Sequence, residues 1–217
     1  MTKHLRVLTL AALAAIASLA TLPLARASAQ EPRLSLIKDD ATRDVVRSLL
    51  GRAASVGLPT DPLLSKALEG VAKRATTKSI RAALAALEKR MRRASDLLGP
   101  NPPEDLAAGA DALYVGVPDK TLRQMRAMAP RRSIALELGV LTELVARQVP
   151  PKQASAMVLD LMARGATGAQ LTALSSAVQA DVAAGIKPDL ALDLRGRGVM
   201  SLLPPPPSAA TLQGRPR

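Results

Sequence analysis

Residues 80–98 read IRAALAALEKRMRRASDLL, and this stretch decides the fold class. Its apolar residues recur at steps of three and four, the spacing that places side chains on one face of an α-helix. Charged residues such as Arg81, Lys89 and Asp96 lie elsewhere around the helix. The stretch therefore predicts an amphipathic helix, whose apolar face consists of Ile80, Ala83, Leu84, Leu87, Met91, Ala94 and Leu98.

The rest of the chain has a similar composition. Ala, Leu, Arg, Lys, Met and Glu dominate from about residue 42 onward, and all of them favour helix. The alternation of β-branched and aromatic residues that is typical of strands is absent. The sequence predicts an all-α fold of short antiparallel helices, arranged as a bundle or as a solenoid-like helical repeat.

Five turns between the predicted helices follow one pattern, and a sixth, at Arg74, fits it more loosely. Each begins with a residue that ends a helix, usually glycine, because glycine readily adopts the left-handed backbone conformation. An apolar residue follows six positions later, and Pro, Thr or Asp between them favours the start of the next helix. The six turns begin at Gly57, Arg74, Gly116, Gln148, Gly165 and Gly185.

These turns also repeat at long range. Residues 46–94 can be laid over residues 137–185 at a constant offset of 91 without a gap. Pro59 then meets Pro150, and Thr76 meets Thr167. The shared turn spacing predicts an internal duplication of a three-helix unit, although an alanine- and leucine-rich chain also produces chance matches.

The N-terminus has the features of a cleavable signal peptide at residues 1–29. A short basic region precedes the apolar run 7–22, and Ala27-Ser28-Ala29 is the small-x-small pattern of a cleavage site. The alternative is that the apolar run stays as an N-terminal anchor. These features predict an exported protein, periplasmic or secreted.

Three further segments complete the predicted domain organisation. Residues 30–41 are expected to be poorly ordered. Residues 42–198 are expected to form a single helical domain with a Pro-rich break at 99–103. Residues 199–217 contain four consecutive prolines and are expected to form a disordered basic tail.

After cleavage of the signal peptide, the chain would lack several residue types that are common in catalytic sites. The chain has no cysteine, phenylalanine or tryptophan, and its one histidine, His4, would be lost. This composition argues against Ser-His-Asp and Cys-His catalysis, and against metal or haem sites built from imidazole or thiolate. We therefore expect no catalytic, cofactor-binding or metal-binding residues. The single tyrosine, Tyr114, is expected to be a packing anchor at a helix end.

Basic residues are the strongest functional signal in the sequence. The formal net charge is +12, and two groups of basic residues stand out, one around 73–93 and one around 123–132. One interpretation is a surface for anionic partners, and the other is a solvated helix face. The candidate contacts for an anionic partner are Arg74, Lys78, Arg81, Lys89, Arg92, Arg93, Arg126, Arg131 and Arg132.

The sequence favours a non-enzymatic interaction or scaffold module in the cell envelope. Its expected partner is an envelope protein, an anionic glycan or a lipid headgroup. Nucleic acid is disfavoured because the chain lacks aromatic residues for base stacking and a motif that reads a groove. The alternatives are a carboxylate-only enzyme acting on glycans, and a periplasmic stress- or metal-responsive helical protein.

Overall fold

A computed structural model describes residues 32–99 and 102–205. Over these residues the chain forms nine helices of at least ten residues and no β-strand, which confirms the predicted all-α class. The helices are α1 (Asp40–Ser55), α2 (Asp61–Ala72), α3 (Thr77–Leu98), α4 (Pro103–Tyr114), α5 (Asp119–Met128), α6 (Ala135–Ala146), α7 (Pro151–Ala163), α8 (Gly168–Ala183) and α9 (Pro188–Met200).

The helix predicted at residues 80–98 is α3. Thr76 caps its N-terminus, since the Thr76 hydroxyl accepts a hydrogen bond from the Ser79 N–H at 3.2 Å. Gly99 follows its last residue with a φ of 77°. Six of the seven residues of the predicted apolar face are buried and Ala83 is half-buried, so the predicted face is confirmed.

The six predicted turns share one backbone geometry. The first residue of each has a positive φ, and Arg74 and Gln148 do so without being glycine. The next N–H then donates to a carbonyl five residues back, as Leu58 does to Ala53 at 3.0 Å and Val149 to Leu144 at 3.2 Å. This is the Schellman motif, which satisfies carbonyls at a helix end. The predicted helix ends are therefore confirmed.

Three helix boundaries within the two segments obey the 91-residue offset, and the ends of α2 and α7 at Ala72 and Ala163 are one of them. Helices α1 and α6 end at Ser55 and Ala146, and α3 and α8 begin at Thr77 and Gly168. An ion pair is repeated as well, because Lys73 binds Glu69 at 2.5 Å and Arg164 binds Asp160 at 3.0 Å. The two segments thus share helix ends and local contacts, and their common origin stays a prediction.

The helices pack mainly against the next helix along the chain or the one after it. Helix α3 contacts α1, α2, α4 and α5, and α6 contacts α4, α7 and α8. Buried apolar residues form two clusters, and α3 and α4 contribute to both of them. Among the described helices, none combines the length and the apolar character needed to cross a membrane.

Residues 32–41 contact the first helices of the domain. Within the segment expected to be poorly ordered, Leu34 and Ile37 are buried in the core. Arg33 contacts α2 through Asp61 at 3.2 Å and Ser65 at 3.0 Å. Helix α1 then starts at Asp40, and the Asp39 carboxylate accepts from the Thr42 N–H at 2.7 Å. Apolar burial and a helix cap therefore connect residues 32–41 to the helical domain, and the degree of order in this segment stays a prediction.

The predicted Pro-rich break and C-terminal tail lie only partly within the described residues. Residues 199 and 200, which the sequence predicts as the start of the tail, complete α9. The signal peptide at 1–29, residues 100–101 of the Pro-rich break and residues 206–217 of the tail lie outside the described residues.

Candidate anionic-partner interface

The solvent side of α3 carries a row of basic residues. Lys78, Arg81 and Lys89 are exposed and lie away from the buried face of the helix. With a rise of 1.5 Å per residue, the row extends over about 16 Å from Lys78 to Lys89. None of the three forms an ion pair with any residue that the structure describes.

Two further candidates on α3 already bind carboxylates. Arg92 pairs with Glu88 one turn earlier at 2.6 Å. Arg93 forms two hydrogen bonds to Asp119 of α5, at 2.5 and 3.1 Å, and this contact raises the pKa of Arg93 above its ordinary value. The Arg93–Asp119 pair brings the start of α5 beside the C-terminal half of α3.

Helix α5, which the Arg93–Asp119 pair joins to α3, carries two further exposed cations. Lys120 and Arg123 are exposed, while Leu122 and Met125 face the core. Within the described part of the chain, neither cation has an ion-pair partner. Lys120 is absent from the sequence-based candidates, although its three-residue spacing from Arg123 places both on the polar side of α5.

Arg126 differs from its prediction as a partner contact, because it belongs to the interior. Its side chain is only 13% exposed and pairs with Asp105, which is fully buried. The Arg126 guanidinium also donates to the carbonyls of Ala129 at 2.7 Å and Arg132 at 2.9 Å. With these bonds, Arg126 holds α5 and the following loop to α4 and is not free for an external anion.

The remaining candidates lie in the segments between helices. Arg74 is exposed at the C-terminal end of α2, and Arg131 is exposed in the loop after α5. Arg132 pairs with the buried Glu137 at 2.5 Å. Of the predicted contacts, Lys78, Arg81 and Lys89 form one exposed row on α3. Four others are engaged in ion pairs: Arg92, Arg93, Arg126 and Arg132. Arg74 and Arg131 are exposed and have no ion pair with the described residues.

Tyr114 differs from the predicted packing anchor, because its side chain is 72% exposed. The guanidinium of Arg90 on α3 lies 4.8 Å from the centre of the Tyr114 ring, which is a cation–π contact. Nearby on α4, partial desolvation by neighbouring groups raises the pKa of the exposed Asp111, while Arg90 and Lys66 act in the opposite direction.

Two other shifted carboxylates, Glu69 and Asp181, are engaged by basic side chains. Hydrogen bonds from Lys66 and Lys73 lower the pKa of Glu69 to about 2. On α8, Asp181 binds Arg195 of α9 through two bonds of 2.6 Å, and these bonds lower the pKa of Asp181. Over the described residues, no three His, Cys, Asp or Glu side chains form a group that could hold a metal ion.

Comparison with known proteins adds no assignment. No protein-family model, curated protein or solved structure significantly matches the chain.

Proposed function

We propose that this protein is an exported, non-enzymatic helical module that binds an anionic component of the cell envelope. The binding surface is the basic face, defined as Lys78, Arg81 and Lys89 of α3 with Lys120 and Arg123 of α5. The observation that supports it is the exposure of these five cations without ion-pair partners among the described residues. A row of cations on a rigid helix attracts phosphate, sulfate or carboxylate groups at low cost in conformational entropy.

Packing behind the basic face supports a fixed binding surface. Ile80, Leu84 and Leu87 anchor α3 in the core beneath its cations. The Arg93–Asp119 pair connects α3 to α5. The cations thus project from two helices whose relative position is set by packing, which suits a repeating anionic partner such as an acidic glycan or a layer of lipid headgroups.

The same contacts favour a binding role over the carboxylate-only enzyme. Hydrolysis of a glycosidic bond usually needs two carboxyl groups that face one cleft. The buried carboxylates Asp105 and Asp181 instead bind Arg126 and Arg195, which gives them roles in holding helices together.

Export and duplication are further parts of the proposal. The basic, apolar and small-x-small succession at residues 1–29 supports export. The shared helix ends and the repeated Glu69–Lys73 and Asp160–Arg164 pairs support descent of residues 46–94 and 137–185 from one helical unit. Stacked helical units are frequent in proteins whose role is to bind other molecules.

A matched charge-removal experiment tests the basic face. The test variant carries Lys78→Gln, Arg81→Gln and Lys89→Gln. The control carries Arg147→Gln, Lys152→Gln and Lys187→Gln, which removes the same charge from exposed positions between α6 and α9. Binding is measured to heparin, a sulfated glycan, and to vesicles that contain phosphatidylglycerol.

We expect the test variant to bind at least about tenfold more weakly, since a cation at an anionic surface contributes about 1 kcal/mol. The control should bind like the unmodified protein, and binding should weaken as salt screens the charges. The probe that binds identifies glycan or lipid as the source of the anion. Equal losses in both variants, or no binding to either probe, would overturn the proposal.

A further inference from the structure

A groove of about 390 Å³ lies between α8 and α9. Ala173 and Ala177 line it on α8, and Leu194 and Gly198 line it on α9. Leu202, just after α9, also lines the groove and is 76% exposed. A Cβ atom added to Gly198 would meet no atom within 4 Å, so this position opens onto unfilled space.

Exposed leucines flank the opening at Gly198. Leu190, Leu194 and Leu202 are 57%, 59% and 76% exposed; Leu190 and Leu194 lie four residues apart on α9, and Leu202 lies in the turn just after the helix ends. Side chains at four-residue steps lie on one face of a helix. This surface therefore presents large apolar side chains next to a gap that could hold about one side chain. Packed helices interlock in this way, with the side-chain ridges of one helix in the grooves of the other.

The neighbouring surface of α8 is small and uncharged. Small side chains allow a second helix to approach closely, and the absence of charge lowers the cost of removing water. The exposed residues of α8 are Ala169, Thr172, Ala173, Ser176, Gln179, Ala180 and Ala183. The chain has a net charge of +12. The exposed side chains of α8 are uncharged and mostly small, whereas those of the basic face are charged and long.

Charge indicates what covers the face. Arg197 pairs with Asp193, and Arg195 pairs with Asp181, so the arginines around the groove are balanced by acids. Along α9 the acids Asp189 and Asp193 precede the two arginines. If two α9 helices packed antiparallel, the acidic N-terminal half of each would lie beside the basic C-terminal half of the other. Their helix dipoles would also point in opposite directions, which is favourable. Two copies of a strongly basic chain can meet through such a balanced face without the repulsion that their basic faces would cause.

We propose that two copies of this chain associate through the face formed by α8 and α9, with Leu194 and Leu202 of each copy packing over Gly198 and the α8 alanines of the other. This inference is independent of the anionic partner and concerns a different surface. A contact limited to two helices is small, so we expect a weak dimer that dissociates in the micromolar range.

Sedimentation velocity of the purified protein over roughly 1 to 300 μM tests the dimer. The mass should rise from one chain to two, and the rise should persist at about 0.5 M salt because the face is balanced in charge. Leu194→Gln with Leu202→Gln should weaken association at least about tenfold. Leu36→Gln with Val56→Gln is the matched control, since Leu36 and Val56 are 58% and 51% exposed in the N-terminal part of the described chain.

A third variant separates a fitted contact from general stickiness. Gly198→Leu fills the gap while adding apolar surface, so a fitted contact is weakened and unspecific association is strengthened. The proposal is overturned if the protein stays monomeric throughout, if the control weakens association equally, or if Gly198→Leu strengthens it. A further outcome overturns it: the full chain is monomeric, and removal of residues 206–217 makes it dimerise. In that case residues 206–217, and not a second copy, would occupy the groove in the full chain.

Discussion

At the scale of single residues, Arg74 and Gln148 hold the left-handed backbone conformation with φ values of 55° and 70°. The positions that correspond to them at the 91-residue offset are Gly165 and Gly57, with φ values of 78° and 74°. A side chain with a Cβ atom costs roughly 1–2 kcal/mol in this conformation. The Schellman bonds and the burial of Val149 compensate for that cost at the turn after α6.

Replacing Gln148 by glycine should stabilise the protein. The substitution removes the steric cost but adds about 0.5–1 kcal/mol of backbone entropy in the unfolded chain. We expect the free energy of unfolding to rise by about 0.5–1 kcal/mol, as measured by urea denaturation. Gln148→Ala keeps the Cβ atom and should change little. A loss of stability in Gln148→Gly would contradict the left-handed conformation at this turn.

At the scale of helices, Asp105 joins three elements. Its carboxylate accepts hydrogen bonds from Arg126 of α5, from the Ser133 hydroxyl at 2.6 Å and from the Ile134 N–H at 3.0 Å, just before α6. Asp105 itself lies in the first turn of α4 and is fully buried. The loop between α5 and α6 is therefore held by one buried carboxylate and the arginine that binds it.

Substitution of Asp105 should be among the most destabilising changes in the chain. Asp105→Ala leaves the Arg126 guanidinium without its carboxylate in a largely buried position, which typically costs about 3–5 kcal/mol. The control is Asp193→Ala, which removes an exposed pair with Arg197 and should cost less than about 1 kcal/mol. Chemical denaturation measures both, and similar losses for the two variants would refute the role given to Asp105.

At the scale of the whole molecule, two apolar clusters share α3 and α4. Met91 of α3 belongs to one cluster, while Ala94 and Leu98, on the same helix, belong to the other. Unfolding of either cluster would therefore disrupt α3 or α4, whose buried residues also belong to the other cluster. A core of Leu, Ala, Val, Ile and Met without Phe or Trp also leads us to expect moderate stability, with melting below about 90 °C.

We expect the described domain to unfold in one cooperative transition. Met91→Ala removes a fully buried side chain and should lower the free energy of unfolding by about 2–5 kcal/mol. Fluorescence of Tyr114 on α4 and the helical circular dichroism of the whole chain should report the same shifted midpoint. Two separate midpoints would show that the clusters unfold independently.

Local rules account for the part of the structure that the sequence predicts well. The three- and four-residue spacing in α3 needs no knowledge of the neighbouring helices, and the turn at Gly57 follows from the freedom of glycine. Arg74 and Gln148 were predicted as turns from their position in the pattern, although neither residue type favours the left-handed conformation. Leu34 and Ile37 were missed because two apolar residues before a helix cap give too short a pattern.

The candidate interface was predicted less completely, because an arginine looks the same in sequence whether it is exposed or bonded. Lys78, Arg81 and Lys89 could be placed on the polar side of α3 from periodicity alone. The partners of Arg93 and Arg126 lie 26 and 21 residues away, so no local pattern indicates that these arginines bind Asp119 and Asp105.

The sequence by itself determined the helical class, most helix ends and the basic side of α3, because each depends on interactions within a few residues along the chain. Only the tertiary structure decided that Asp105 and Arg126 form an interior pair, that Tyr114 lies on the surface, and that α8 and α9 present an apolar groove. These features depend on how helices distant in sequence pack together. That packing is set by long-range burial and ion pairing, which helical periodicity does not encode.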